Sequence, residues 1–171
     1  MRAARKAALA MTSTGVLLAA VPAGAFAASA TAAAAPAAAC KGSQLTAGGA
    51  QYTPSGQVRF TVVNKGAPCE LRGFPTVAVA GQGSPDKNKP LGVSPQGQAP
   101  SVRLPSGGKA VTVLSFTPVL GEADGYCASG TDPTVAPSLV VGVAGTRFQV
   151  GSSDGGEFAL CGDSVRATAF R

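Results

Sequence analysis

Serine is the first residue type to test for chemistry, because Gly151-Ser152-Ser153-Asp154-Gly155 spells G-x-S-x-G, the turn that presents a nucleophile in esterases. In that role Ser153 needs a base within hydrogen-bond reach, normally histidine, and the chain contains none. The elbow also needs a helix after the turn, whereas the residues beyond Gly155 read as strand. A turn rich in Gly, Ser and Asp accounts for the match. Ser84-Pro85-Asp86-Lys87 and Ser106-Gly107-Gly108-Lys109 both fit S-x-x-K, as in penicillin-binding enzymes. The companion motifs S-D-N and K-T-G are missing, and both matches fall in turns. Among the acids, Glu122 with Asp124 and Asp154 with Glu157 are the closest pairs, the kind of pairing that supports glycoside hydrolysis. Tyr52 and Tyr126 are the only tyrosines and tryptophan is absent, so a sugar-stacking platform is thin. Neither pair has EF-hand spacing. No catalytic residue is assigned.

Sulfur is the next candidate. Cys40, Cys69, Cys127 and Cys161 have no C-x₂₋₄-C spacing and no histidine partner, which excludes the usual zinc sites. The C-x-x-C of redox centres is also missing. Both methionines, Met1 and Met11, fall in the leading segment, so the remainder lacks histidine, methionine and tryptophan together. That composition removes the soft and imidazole ligands of copper carriers. No metal and no cofactor is expected. An even set of four cysteines in a small exported chain instead implies two disulfides. Three connectivities are open. We favour Cys40–Cys69 with Cys127–Cys161, because each pair ties a strand to a nearby element. Loop closures of this length stabilise by about 3.5 to 4 kcal/mol per bridge.

The compartment that permits disulfides follows from the start of the chain. Arg2, Arg5 and Lys6 precede a short apolar stretch over residues 7–21, and Pro22 is followed by small residues. Two A-x-A sites, ending at Ala27 and Ala30, are available for cleavage. These are the parts of a secretory signal, and the apolar stretch is too short and broken for a membrane span. Residues 1–27 are therefore expected to be a signal peptide, 28–39 an Ala/Pro-rich linker, and 40–171 a single domain. Acylation of Cys40 after Ala37-Ala38-Ala39 is the competing fate, and it would strand an odd thiol. Loss of the leader takes 3 of the 14 bases and leaves 11 against 8 acids. These bases are dispersed, among them Lys65, Arg72, Lys87, Lys89, Arg103, Lys109, Arg147 and Arg166. Nucleic-acid binders concentrate charge on one face, so nucleic acid is not an expected partner.

The domain reads as short strands between turns. Residues 57–64 alternate apolar and polar, as a half-buried strand does. Residues 76–80, 109–116, 138–143, 146–150 and 164–170 read as further strands, with shorter ones at 43–46, 91–93 and 101–104. Residues 138–143 and 146–150 face each other across Ala144-Gly145. Around the short strand at 91–93, residues 81–100 are rich in Gly, Pro, Lys and Gln and are expected to be loop, as are residues 121–137. No window after Cys40 has a helical period. The expected fold is all-β, an immunoglobulin-like antiparallel β-sandwich stapled by two disulfides.

At Asn64 and Pro68-Cys69-Glu70-Leu71-Arg72-Gly73-Phe74-Pro75 the chain resembles the actinobacterial secreted family called domain of unknown function 4232. Leu104-Pro105-Ser106-Gly107-Gly108-Lys109-Ala110 and the late Cys161 extend the likeness over residues 40–170. Phe116 stands where tryptophan is expected. The resemblance implies an immunoglobulin-like sandwich in the cell envelope and brings no activity and no site residues. Independently of it, Gly73 permits unusual backbone angles and Pro75 holds Phe74 extended, so these residues read as determinants of the fold. The expected function is a secreted, non-enzymatic binding module for an extracellular protein or cell-wall component. A protease inhibitor with a loop at residues 121–130 comes second, and a hydrolase acting through Ser153 third.

Overall fold

The computed structural model describes residues 37–53, 55–121 and 125–171. The expected signal peptide and most of the linker lie outside these residues. Among the described residues eleven strands follow one 3-10 turn at Gly42–Gln44. They are β1 (Leu45–Thr53), β2 (Gln57–Asn64), β3 (Cys69–Leu71), β4 (Thr76–Ala80), β5 (Asn88–Gln96) and β6 (Val102–Leu104). After them come β7 (Lys109–Thr117), β8 (Thr134–Ala136), β9 (Ser138–Val143), β10 (Thr146–Gly151) and β11 (Phe158–Thr168). The domain is an all-β, immunoglobulin-like sandwich that approaches a barrel.

One layer runs β1-β2-β7-β11 and the other β4-β9-β10, and β5 joins them. Its first half pairs antiparallel with β4, Val77 opposite Leu91, and its second half pairs parallel with β11, Ser164 opposite Gly92. Among the described strands the β5–β11 ladder is parallel and the others are antiparallel, and a parallel bridge joins Ala39 to Glu70. Strand β5 contains the short one expected at 91–93 and extends it on both sides into the stretch 81–100 otherwise read as loop. Pro90, Pro95 and Gly92 mask its period. Each half of β5 is laddered on one side only, so a residue without an N–H is tolerated there as it is on an edge strand.

Alternation makes the core. β2 sends Val58, Phe60 and Val62 inward, and β7 sends Ala110, Leu114 and Phe116. Val77, Val79, Leu139, Val141, Phe158, Leu160 and Val165 meet them from the remaining strands. Thr112, buried among these, donates its hydroxyl to the Thr168 carbonyl at 2.6 Å. No buried side-chain polar atom among the described residues lacks a partner.

Other differences from the sequence reading are local. Ser43 and Gln44 belong to the 3-10 turn, and the first strand runs on from Leu45 through Gly48 and Gly49. The last strand begins at Phe158, and Thr134–Ala136 is a strand inside the expected 121–137 loop. The hairpin at Ala144-Gly145 is as expected, with φ of 47° and 78° at its two turn residues.

Candidate functional site

Ser153 sits exposed in the turn between β10 and β11, where the Gly155 N–H donates to the Ser152 carbonyl at 3.1 Å. A strand follows, so the turn is no elbow. It is Ser152, one residue earlier, that hydrogen-bonds the Asp154 carboxylate at 2.5 Å, and the Gly156 N–H donates to the same oxygen at 3.0 Å. The Ser152 hydroxyl first, and then that N–H, hold the Asp154 carboxyl below its usual pKa. Glu122 and Asp124 lie outside the described residues. Lys87 and Lys109 point to solvent at opposite ends of the sandwich. Among the described residues no three His, Cys, Asp or Glu side chains converge.

The cysteines form the bridges Cys40–Cys69 and Cys127–Cys161, with Cα separations of 4.9 and 5.5 Å. This is the favoured pairing, and it leaves Cys40 no thiol for acylation. The first bridge closes one end of the sandwich. There the Cys40 N–H donates to the Glu70 carbonyl and the Glu70 N–H to the Ala38 carbonyl, both at 2.8 Å. Beside it Asn64, with no solvent exposure, is the hub. Its Nδ2 donates to the carbonyls of Ala67, Leu104 and Pro105, and its Oδ1 accepts the Gly66 N–H at 2.9 Å. Its backbone pairs with Gly107 and Gly108. One side chain thus knits the Cys69 segment to the turn at residues 104–108. Gly73, at φ 104°, has the backbone freedom the sequence asks of it.

The second bridge lies at the opposite end, where Cys161 on β11 faces Thr117, the last residue of β7. Here the chain leaves the ladder. Leu120 and Tyr126 exchange two backbone hydrogen bonds, at 2.9 and 2.8 Å, and Cys127 next to Tyr126 is buried against Cys161. Gly121, at φ 84°, lies under the Tyr126 ring, and a Cβ on it would meet the ring at 3.3 Å. Leu120 and Tyr126, tethered in this way and here called the finger, are 41% and 62% exposed. Val135 on β8 is 55% exposed, and its partner Ala159 is two residues from Cys161. Among the described residues these three are the exposed large hydrophobics, and all belong to this end. The sequence carries no sign of their exposure at one end beyond isolated apolar residues in a stretch read as loop.

The sequence model of the family described as Domain of unknown function (DUF4232) matches residues 21–171. No curated protein and no solved structure matches the chain.

Proposed function

This chain belongs to the DUF4232 family, and since that description assigns no activity, we propose from the surface itself that the domain is a non-enzymatic binding module working outside the cytosol. The observation that carries the reading is the apolar finger at the Cys127–Cys161 end. Clusters of large exposed apolar side chains mark interaction sites more often than scattered ones do. Tyrosine is a residue such contacts favour, because it offers a large rigid area with a polar tip. A disulfide at the base of the finger fixes its geometry before binding and so lowers the ordering cost. The expected occupant is a protein or cell-wall surface with an apolar recess. Export is supported by the charged, apolar and small-residue order of residues 1–30, and by two disulfides. No helix among the described residues is long and apolar enough to cross a membrane.

The test is retention of ligands from culture supernatant and from isolated cell wall on the immobilised mature protein. A Leu120→Ser/Tyr126→Ala variant with an unchanged fold is expected to lose what the wild type holds. Equal retention by both proteins refutes the finger as the contact. Tyr126 beside a disulfide also suits a protease inhibitor, and a panel of proteases assayed for residual activity separates that reading from the first.

A further inference from the structure

Next to the finger, on the outer face of the β5-β11-β7 ladder, lies a cleft of about 440 Å³ lined by Ser94, Ser115, Thr117, Ser164 and Arg166 together with the apolar Phe116 and Pro118. The register explains the convergence. Arg166 is opposite Ser94 on β5 and opposite Ser115 on β7, so two hydroxyls flank it at about one strand spacing, roughly 4.8 Å, on either side. A bulge supplies the fourth wall. Between Cys161 and Val165 the register of β11 slips, Gly162 takes φ 82°, and Ser164 is carried to the cleft edge. Bulges commonly re-aim a side chain in this way.

None of these side chains is bonded to another side chain among the described residues. Among the described residues, Arg147 with Asp86 is the ion pair, and Arg166 has no acidic partner. Among the described residues none of the four hydroxyls makes a hydrogen bond, whereas the buried Ser138, Thr112 and Asn64 all do. Asp163 stands in the bulge but does not line the cleft.

We propose that this cleft is an oxyanion site taking a phosphate or phosphate-ester group. A guanidinium offers a planar fork of donors matched to phosphate or carboxylate. A carboxylate's two oxygens are satisfied by the fork alone. Four added hydroxyls suit a tetrahedral anion, whose further oxygens need donors too. The volume admits the group together with a small polyol attached to it.

The experiment is an amide NMR titration of the exported, oxidised protein with inorganic phosphate and with glycerol 3-phosphate, at fixed ionic strength against sodium chloride. Saturating shifts are expected at Ser94, Ser115 and residues 164–166, with Arg166→Gln weakening binding at least tenfold while the urea midpoint stays put. A further loss of about threefold is expected from Ser94→Ala/Ser115→Ala. Binding of both probes assigns the oxyanion itself, and binding of the ester alone assigns the ester. Shifts no larger than chloride produces, or affinity unchanged in Arg166→Gln, overturn the proposal.

Discussion

The two ends of the sandwich carry similar staples and opposite surfaces. Cys40–Cys69 and Cys127–Cys161 close sequence separations of 29 and 34 residues, so chain entropy rates them alike, at about 3.7 kcal/mol each. At the first end every polar group of Asn64 is spent inside the chain. At the second, Leu120, Tyr126 and Val135 face water. One bridge finishes a closed end; the other holds out a segment the strand ladder does not. The difference teaches that disulfide count alone says nothing of what a bridge is for, which depends on whether its loop is otherwise fixed.

Removing the bridges separates the ends most strongly. Cys40→Ala/Cys69→Ala is expected to lower stability by about 4 kcal/mol, read as a shift in the urea midpoint. Cys127→Ala/Cys161→Ala is expected to cost clearly less. Its folded form regains chain entropy when the finger, held by one pair of backbone hydrogen bonds, detaches. Equal losses would erase the contrast. Next in size is Asn64→Ala, expected to cost about 3 kcal/mol because three carbonyls and one N–H lose their buried partner. A loss below about 1 kcal/mol would mean that water replaces the amide there and that the end is less closed than its geometry indicates. Tyr126→Ala should change stability by no more than about 0.5 kcal/mol, since an exposed side chain has little to lose on truncation. A cost above about 2 kcal/mol would make the finger part of the core and leave nothing on display.

Legibility in the sequence follows the same division. Strands β2, β4 and β7 and the β9–β10 hairpin are plain because each alternates or is bounded by turn residues, as at Pro75 and Gly81. Strand β5 shows only at its middle, 91–93, since Pro90, Gly92 and Pro95 are turn formers held extended by one ladder to β4 in its first half and another to β11 in its second. β8, with three residues, is too short to show a period. The motif around Cys69 marks the closed end in the sequence. Yet the part Asn64 plays depends on the turn at residues 104–108 lying against it, a contact 40 positions away along the chain. At the open end, exposure depends on which loops have no neighbour, and no local pattern encodes that. The Arg166 cleft is hidden for the same reason: Ser94, Ser115 and Arg166 meet only through a register that joins β5 to β11 in parallel.

The smallest effect tests how uniform the open end is. Gly151 pairs with Ser138, which pairs with Ala80, and this register puts the Asp154 turn at the same end as the finger. Two of its donors are nevertheless spent: Ser152 and the Gly156 N–H both bond one oxygen of the Asp154 carboxylate. These bonds favour the charged form, so the folded-state pKa lies below the unfolded one. The sign follows directly. The turn gains stability from the pair at neutral pH, and that gain fades as pH falls through the folded pKa. Ser152→Ala is expected to move the Asp154 pKa up toward the ordinary carboxylate value, read by carbon-detected NMR titration, and Ser153→Ala to leave it in place. Full exposure and salt keep the effect on global stability slight. An Asp154 that titrates normally in the wild type would add one more unspent group to the open end. A shift on Ser153→Ala would mean that the serine of the G-x-S-x-G match, rather than its neighbour, holds the carboxylate.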